Sequence, residues 1–338
     1  MKFVIVGSGF AGVTFAEKLR TLAPDAIITM ITREGDGFYS RPLLSHGFSK
    51  ANIEQSIILK PFPALAQNRI ELFVGSSATA IDRSHKTLTI NDGERIIDLE
   101  YDKLILAQGS EAFIPPPFRD DCEYFHLLNS LADLKKLRTL RDVLSEQYSP
   151  PHWAIIGGGL IGCEVASDLA VAGDKVTLYH AMDRLMERQL VVQDSAKLLT
   201  VLQASGVEVR LNQSVTGFRK QDGKTVVVSG ATDSFNAVIV ACGFKPRTGL
   251  AAAAGLAVKR GIAVNPYLQT SDPDVYALGD VAELPDGKLY AFILPIRSQA
   301  LWLAALLAGA SDNQPWLPPV FRPKAKVHGF VADDPQPF

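Results

Sequence analysis

One order of apolar and polar positions occurs twice along the chain. In each copy a short apolar run, a stretch with apolar positions at helical spacing and a second apolar run follow one another, and an apolar strand ending in Ala-x-Gly closes the copy. The first copy comprises residues 3–6, 11–22, 27–32 and 104–109, and the second comprises residues 153–180 and 237–243. We therefore predict an α/β protein in which a β-α-β unit is repeated.

The segments between the two copies have other patterns. Residues 70–97 alternate apolar and polar positions and contain the turn sequence Asn91-Asp92-Gly93, which predicts a small antiparallel sheet. Further helices are predicted at residues 130–148 and 297–309, and further strands at residues 207–210 and 225–228. The cations of the 130–148 helix, Lys135, Lys136, Arg138 and Arg141, are interpreted as its solvated face.

Each β-α turn carries a glycine fingerprint. The two sequences are Gly7-Ser8-Gly9-Phe10-Ala11-Gly12 and Gly157-Gly158-Gly159-Leu160-Ile161-Gly162. Between a strand and a helix, the first glycine permits the tight turn and the second lets the backbone approach a pyrophosphate. The third lets the helix pack on the strand, so that the helix N-terminus faces the phosphates. Two fingerprints predict two bound dinucleotides and electron transfer between them.

The bulk composition is that of an ordinary globular protein. The 338 residues exceed one typical core, and 47% of them are apolar, so we expect two or three domains. A net charge of −2 argues against binding to nucleic acid or to an anionic membrane.

The cysteines and the apolar runs bear on location. Cys122, Cys163 and Cys242 are far apart and form no CxxC pair, which fits a reducing compartment; Cys163 and Cys242 are interpreted as small core residues. The longest apolar run, residues 300–310, is too short to span a bilayer, and no signal peptide is recognised. We expect a cytoplasmic protein without a metal site.

Two acidic residues stand where a dinucleotide site needs a carboxylate. Glu34 follows the second predicted strand, where an acid holds a ribose hydroxyl. Asp280 follows the apolar sequence Tyr276-Ala277-Leu278-Gly279, where a carboxylate is costly without a partner. The alternatives are a solvated turn glutamate at Glu34 and a helix cap at Asp280.

The order of these motifs resembles the FAD-dependent pyridine nucleotide-disulfide oxidoreductase superfamily from residue 1 to about residue 314. The matching motifs are the two fingerprints, residues 101–109, Glu164 after the second fingerprint, and residues 270–280. The resemblance implies two nested Rossmann-like domains. An FAD domain would comprise residues 1–113 and 241–314, an inserted NAD(P) domain residues 114–240, and a partial C-terminal interface region residues 315–338.

Several segments further resemble rubredoxin reductases and the flavorubredoxin reductases of nitric oxide detoxification. These segments are residues 39–50, 246–248, 254–256, 267–271 and 292–299. The resemblance implies FAD contacts from Gly7, Gly9, Phe10, Ala11, Gly12, Glu34, Arg41, Pro42, Ala107, Gly109, Asp280, Pro295, Ile296 and Lys326. It implies NAD(P) contacts from Gly157, Gly159, Leu160, Ile161, Gly162, His180, Arg184 and Gly243.

His46 departs from the pattern of related ferredoxin reductases. Those proteins have a Lys at this position, paired with the glutamate that matches Glu164, so the resemblance implies a His46–Glu164 pair that tunes the flavin. The charge of such a histidine would depend on pH. A carboxylate that merely favours a helix start is the alternative for Glu164, and no side chain is assigned as a general base.

His180 is a second departure, at the end of the second strand of the 153–180 copy. NADH sites usually have an acid at this position to hold the 2′-hydroxyl. Arg184, with Arg188, could accept a 2′-phosphate, and Asp183 could instead hold the ribose. NADH is expected as the cofactor, with NADPH left open.

The predicted function follows from a missing thiol. Disulfide reductases of this superfamily carry a redox cysteine pair, but residues 41–46 contain no sulfur, so electrons would leave the flavin directly. We predict an NAD(P)H:rubredoxin-type oxidoreductase (EC 1.18.1 class), monomeric or weakly dimeric, whose partner is rubredoxin or another small iron protein. Cations at Arg297, Arg322, Lys324 and Lys326 could steer that acidic partner or be scattered and solvated. The alternatives are a [2Fe-2S] ferredoxin reductase and a redox-sensing flavin-binding protein with little turnover.

Overall fold

The strand that precedes the first fingerprint, Lys2–Val6, lies at the centre of a five-stranded parallel sheet in the computed structural model, which describes residues 1–335. The strand order is Val275–Ala277, Lys103–Leu106, Lys2–Val6, Ile27–Thr32 and Ile70–Val74, and every neighbouring pair is parallel. Phe3, Val4 and Ile5 are buried. A parallel strand covered on both faces needs such a continuous apolar run.

This sheet belongs to a first unit formed by Met1–Ser40, Ile58–Glu111 and Lys245–Val320. Its strands are Lys2–Val6, Ile27–Thr32, Phe38–Tyr39, Ile58–Lys60, Ile70–Val74, Ser77–Asp82, Thr87–Asn91, Ile96–Glu100, Lys103–Leu106, Ile262–Ala263, Val275–Ala277 and Ala282–Glu283. Its α-helices are Phe10–Leu22, Phe62–Gln67, Gly249–Ala253 and Ile293–Leu307, with a 3₁₀ turn at Gly279–Val281.

The helix after the first fingerprint, Phe10–Leu22, buries Val13, Phe15, Ala16 and Leu19. It packs against Ile293–Leu307, which begins four residues earlier than the predicted start at residue 297. Pro295 is the third residue of that helix. The first turn has no intrahelical acceptor for its N–H groups, so a proline costs no hydrogen bond there.

The predicted antiparallel sheet over residues 70–97 is corrected in part. Ser77–Asp82, Thr87–Asn91 and Ile96–Glu100 do form a three-stranded antiparallel sheet. Ile70–Val74, however, pairs in parallel with Ile27–Thr32 at the edge of the central sheet. The order of apolar and polar residues in one strand does not show whether its neighbour runs parallel or antiparallel, because it reports only which face of the strand is buried.

The second unit comprises Arg41–Ile57, Ala112–Phe244 and Phe321–Phe338, of which residues 336–338 lie outside the described part. Its parallel sheet has the order Val207–Arg210, Lys175–Tyr179, His152–Ile156 and Ala237–Val240. Gly217–Gln221, Lys224–Ser229 and Ala231–Phe235 form an antiparallel sheet. The α-helices of the unit are Ile53–Ser56, Leu131–Gln147, Leu160–Val171 and Val192–Ala204, with 3₁₀ turns at Arg41–His46 and Pro116–Asp121.

The parallel sheets, each with a glycine-turn helix, confirm the α/β class and its two Rossmann-like elements. Ser110–Ala112 and Phe244–Pro246 are short strands at the places where the chain passes from one unit to the other. The contacts group residues 41–57 and 321–335 with the second unit, whereas the predicted boundaries put 41–57 in the FAD domain and 315–338 in a region of its own. The assignment of the units to FAD and NAD(P) stays a prediction.

The helix Leu131–Gln147 starts at a capping box, because the Ser130 side chain accepts from the Asp133 N–H while Asp133 accepts from the Ser130 N–H. Two of its cations were wrongly interpreted as solvated. Arg138 pairs with Glu54 at 2.8 Å and donates to main-chain carbonyls of the 47–51 segment. Arg141 binds both carboxylate oxygens of Asp174 at 2.7 and 3.0 Å.

Across residues 1–335, no helix has both the length and the apolar character of a membrane span.

Candidate functional site

The three glycines of the first fingerprint have three different environments. Gly7 has φ +112°, and a Cβ there would lie 2.3 Å from the carbonyl oxygen of Ala107. A Cβ at Gly12 would lie 2.1 Å from the carbonyl oxygen of Gly7. A Cβ at Gly9, in contrast, would meet no atom of the chain within 4 Å. The turn therefore excludes side chains at its first and third glycines and keeps the second clear.

The second fingerprint reproduces this geometry. Gly157 has φ +115° and a Cβ there would lie 2.5 Å from the Ala241 carbonyl oxygen, while a Cβ at Gly162 would lie 1.8 Å from that of Gly157. A Cβ at Gly159 would again meet nothing. The repeat seen in the sequence is thus a repeat in backbone conformation.

In both turns a helix begins directly after the second glycine of the fingerprint. Gly9 and Gly159 are the N-caps of Phe10–Leu22 and Leu160–Val171, and neither helix start has a side-chain cap or an acid in its first turn. N–H groups left without a side-chain acceptor, at the positive end of the helix dipole, favour an anion. A pyrophosphate fits each turn, since only the second glycine faces open space.

Two further glycines extend the correspondence. Gly109 has φ +67° and Gly243 has φ +111°, and a Cβ at either would meet no atom within 4 Å. Each stands a few residues after a buried strand, Lys103–Leu106 or Ala237–Val240. The carbonyl of Ala107 lies against Gly7 of the first fingerprint. Ala107 and Gly109, which were predicted to contact FAD, are therefore close to that fingerprint.

Glu34 follows the strand Ile27–Thr32, at the carboxyl edge of the sheet. Its backbone N–H donates to Thr32 Oγ1 at 3.1 Å, and the Ser8 hydroxyl of the fingerprint donates to the same oxygen at 2.7 Å. Thr32 therefore ties the turn that carries Glu34 to the fingerprint loop. The half-buried Glu34 is at the position where a ribose hydroxyl would need an acceptor.

Asp280 lies in the 3₁₀ turn Gly279–Val281, as the sequence places it after a buried strand. Its Oδ2 accepts from the Ser110 hydroxyl at 2.7 Å. Gly279 has φ +76°, and its N–H donates to Gln299 Oε1 at 2.8 Å. Gln299, on the helix that also carries Pro295 and Ile296 in its first turn, thus holds the Gly279–Asp280 turn.

Two buried amide atoms of this unit have no partner among the described residues. They are Nε2 of Gln299, a fully buried side chain, and Oε1 of Gln108, which lies between Ala107 and Gly109. Buried polar atoms are nearly always paired, so such atoms suit a polar cofactor beside them. Sequence reasoning missed both residues; the one available signal was a glutamine within the apolar 293–307 helix.

In the second unit, the strand Lys175–Tyr179 leads into His180, which is buried. Its Nδ1 accepts the Gly158 N–H at 3.0 Å, and its Nε2 lies 3.2 Å from Glu187 Oε2. Arg184 donates to the carbonyls of Leu190 and Glu187 at 2.7 and 2.8 Å, and Ser195 Oγ lies 3.0 Å away. The Arg184 guanidinium, which was predicted to receive a 2′-phosphate, is therefore engaged within its own loop. Asp183, the alternative acid for the ribose, is exposed.

The predicted His46–Glu164 pair is replaced by other contacts within the same unit. Glu164 is fully buried; its Oε2 accepts from the Ser45 hydroxyl at 2.5 Å and its Oε1 from the Lys326 N–H at 2.8 Å. His46 Nδ1 instead lies 3.8 Å from Asp168 Oδ1. Glu164 and Asp168 lie about one turn apart on the buried Leu160–Val171 helix. Whether Ser45 or His46 contacts one acid or the other therefore depends on its position along the neighbouring segment.

Burial lowers the pKa of His46 below its ordinary value, and the carboxylates of Asp168 and Glu164 oppose this shift. The other predicted residues of this segment are also engaged. Arg41 donates to the Asn129 carbonyl, and the Pro42 carbonyl accepts from Lys326 Nζ at 3.0 Å.

His46, Asp168 and His328 have ligand atoms within 4.8 Å of one another, which is a set of residue types that can hold a metal ion. The Asp168 carboxylate, however, already accepts four hydrogen bonds, from the N–H groups of Phe48 and Ser49, from the Ser49 hydroxyl and from His328 Nε2. Four donors fill the lone-pair positions of a carboxylate. Hydrogen bonding therefore accounts for the Asp168 carboxylate and His328, whereas both ring nitrogens of the buried His46 have no hydrogen-bond partner among the described residues.

The cysteine sulfurs show no redox pairing. Cys163 is buried and its thiol donates to the Gly158 carbonyl at 3.4 Å; burial raises its pKa. Burial also raises the pKa of Cys242 to about 11. Cys122 is exposed and donates to the Arg119 carbonyl at 3.2 Å. Thiols held protonated are poor nucleophiles. Cys163 is the buried core residue that was predicted, whereas Cys242 is only partly buried beside a core cluster.

Comparison with known proteins agrees with this architecture. The family model of pyridine nucleotide-disulphide oxidoreductases matches residues 1–308, and the chain belongs to this family. Proteins of the family bind FAD and NAD(H), and the chain is an oxidoreductase that uses a flavin and a pyridine nucleotide.

Three individual proteins illustrate the similarity. The chain is 35% identical over 313 residues to the nitric oxide reductase FlRd-NAD(+) reductase of Pectobacterium atrosepticum, covering 91% of this chain and 79% of that protein. A covalent putidaredoxin reductase–putidaredoxin complex matches with TM-score 0.85 and 28% identity, over 97% of this chain and 79% of the other. A ferredoxin reductase from Rhodopseudomonas palustris matches with TM-score 0.83 and 27% identity, over 95% and 79%.

Proposed function

We propose that this protein is an FAD-dependent NADH reductase that delivers electrons to rubredoxin or a rubredoxin-like iron protein. The observation that carries the proposal is the duplicated glycine turn, one in each unit, in a chain without a thiol pair. Two dinucleotide cradles require two cofactors, and the absence of a thiol relay leaves an external one-electron acceptor. The flavorubredoxin reductase similarity, at 35% identity, supports that class of acceptor.

The first unit would hold FAD. Gly9 and the N-terminus of Phe10–Leu22 would receive the pyrophosphate, Glu34 the adenosine ribose and Asp280 the ribityl chain. The remaining proposed contacts in this unit are Gly7, Ala11, Gly12, Ala107, Gly109, Pro295 and Ile296. Arg41, Pro42 and Lys326 belong to the second unit, and their assignment to FAD stays a prediction.

The second unit would hold the nicotinamide dinucleotide. Gly159 and the helix start at Leu160 would receive its pyrophosphate, while Gly157 and Gly162 keep the turn tight. Ile161 and Gly243 complete the set predicted from the resemblance, beside His180 and Arg184. The 3.0 Å bond from Gly158 to His180 shows how the turn is fixed, since the imidazole takes up a main-chain donor of the fingerprint itself.

The bound flavin would supply the chemistry that couples a two-electron donor to a one-electron acceptor. The chain's own residues would bind and orient. Gln299 fixes the Gly279–Asp280 turn, and the helix start at Ile293 carries no acid in its first turn, so its N–H groups would favour negative charge nearby. No described side chain is needed as a general base.

A second candidate is a reductase for a ferredoxin-type protein with a [2Fe-2S] centre. The structural similarity to putidaredoxin reductase and to the Rhodopseudomonas palustris ferredoxin reductase favours it. The two candidates differ only in the acceptor. We also propose, from the sequence prediction, a cytoplasmic protein that is monomeric or weakly dimeric.

The test is a stopped-flow experiment on the FAD-loaded protein. NADH should bleach the flavin absorbance, and oxidised rubredoxin should then lose its visible absorbance at a rate at least about tenfold above that of a [2Fe-2S] ferredoxin. Failure of NADH and NADPH to bleach the flavin would overturn both candidates. Faster reduction of the ferredoxin would replace the first candidate by the second.

A further inference from the structure

His180 connects the second fingerprint to an acid that lies outside it. A backbone N–H can only donate, so the Gly158 bond at 3.0 Å makes His180 Nδ1 an acceptor. The proton of the neutral imidazole is therefore on Nε2, which faces Glu187 Oε2 at 3.2 Å. The imidazole thus relays one hydrogen-bond chain from the fingerprint backbone to the Glu187 carboxylate.

The loop that carries Glu187 is fixed to the same glycine. The Met186 N–H donates to the Gly158 carbonyl at 2.9 Å, so both main-chain groups of Gly158 are used. Arg184 donates to the Glu187 carbonyl at 2.8 Å from the other side. A Cβ at Gly158 would lie 2.7 Å from His180 Cγ, so this glycine is what allows the imidazole to pack on the turn. The carboxylate is therefore held at a defined place beside the fingerprint.

The charges around Glu187 indicate what it can bind. Its side chain retains 22% exposure, and Arg188, which is 85% exposed, has Nε 3.6 Å from Glu187 Oε1. The Arg184 guanidinium is engaged with the carbonyls of Leu190 and Glu187. A phosphate placed here would be repelled by the Glu187 carboxylate, and the nearby cations would compensate poorly, because Arg184 is committed to carbonyls and the exposed Arg188 already faces that same carboxylate. A pair of hydroxyls would instead meet an acceptor.

We propose that Glu187, positioned by His180, is the acid that accepts the adenosine ribose hydroxyls of the nicotinamide dinucleotide and makes the site select NADH over NADPH. It thus replaces the acid that the end of the Lys175–Tyr179 strand lacks. This assignment rests on the proposed function, because it supposes that the second unit binds the nicotinamide dinucleotide. In this selection His180 acts through Glu187 and is a positioning residue.

The test measures binding without turnover. Titration calorimetry of the FAD-loaded protein with NAD⁺ and with NADP⁺ gives the ratio of the two dissociation constants. For Glu187→Gln, NAD⁺ should bind about tenfold more weakly, because a hydrogen bond to a charged group is lost, and NADP⁺ should bind more tightly as the repulsion disappears. Glu146→Gln, an exposed glutamate on the Leu131–Gln147 helix, is the matched control and should leave both constants unchanged.

Variants of His180 test its positioning role. His180→Ala should weaken NAD⁺ binding by a factor similar to Glu187→Gln, whereas His180→Gln, which keeps one acceptor and one donor, should restore most of the wild-type ratio. A purely structural role would lower the melting temperature in both variants without changing the ratio of the two constants. That result would overturn the assignment of His180.

The outcomes separate this inference from the proposed function. If wild-type protein shows flavin bleaching by NADH but Glu187→Gln changes the ratio of constants by less than about twofold, the inference fails and the function stands. Equal weakening of both nucleotides would also overturn it. If the wild-type protein binds neither nucleotide, the proposed function itself fails.

Discussion

Glu164 Oε1 accepts the main-chain N–H of Lys326 at 2.8 Å, although the two residues are far apart in the chain. The other oxygen of the same carboxylate accepts from the Ser45 hydroxyl at 2.5 Å, and Glu164 is fully buried. One acid on the Leu160–Val171 helix therefore binds two separate segments of the second unit, the 41–46 turn and the segment after residue 320.

Glu164→Ala should lower the free energy of unfolding by about 2–4 kcal/mol, because the buried Ser45 hydroxyl and the partly buried Lys326 N–H would lose this acceptor together. The melting temperature measures this loss. The exposed Glu146→Ala on Leu131–Gln147 is the control and should change stability by no more than about 0.5 kcal/mol. Equal effects of the two substitutions would show that the Glu164 contacts contribute little.

Gly12→Ala should impair folding, whereas Gly9→Ala should leave folding intact and impair FAD binding. A Cβ at Gly12 would lie 2.1 Å from the Gly7 carbonyl oxygen, so Gly12→Ala should destabilise the first unit severely. A Cβ at Gly9 meets nothing within 4 Å, so Gly9→Ala should fold but retain little FAD, because the methyl group would stand where the phosphates approach. Circular dichroism and the flavin-to-protein absorbance ratio measure the two effects. A Gly9→Ala protein with full flavin content would contradict the assignment.

The stability of the protein should fall as the pH drops below about 6.5, the ordinary pKa of histidine. Burial lowers the pKa of His46, with Lys326 and His328 acting in the same direction and Asp168 and Glu164 opposing it. The unfolded chain then binds a proton at His46 before the folded chain does, so acidification favours unfolding until the folded pKa is reached. Urea denaturation of wild type and His46→Gln at about pH 8 and about pH 5.5 measures the contribution. If the free energy of unfolding of wild type and His46→Gln changed equally with pH, the contribution of His46 would be refuted.

Asp194→Asn should release the end of the described chain. The Asp194 carboxylate accepts the N–H groups of Asp333 and Asp334 at 2.8 and 3.0 Å, and these bonds lower its pKa. An asparagine offers only one acceptor oxygen, so amide hydrogen exchange at residues 333 and 334 should accelerate. In the wild type, the contribution is present above the ordinary aspartate pKa, about 3.9, and is lost as the pH falls through the lowered folded pKa. Unchanged exchange in Asp194→Asn would exclude this anchoring.

The sequence predicted those features that depend on short segments. The apolar runs and the helix after each fingerprint are local, because strand burial and glycine conformation act within a few residues. The same local reasoning was wrong about Ile70–Val74, whose parallel partner lies elsewhere in the chain. It was also wrong about the start of Ile293–Leu307, which was predicted at residue 297, because the first turn of a helix tolerates Pro295.

What the amino-acid order determined by itself is the duplicated fingerprint, the absence of a cysteine pair and the family to which they point. Only the tertiary structure determined which side chains meet: Glu164 binds Ser45 and Lys326 instead of His46, and Glu187 reaches His180 where the strand end lacks an acid. The physical reason is that backbone conformation follows from neighbouring residues, whereas hydrogen-bond partners depend on long-range packing. A buried carboxylate binds whichever donors the packing brings within about 3 Å of it.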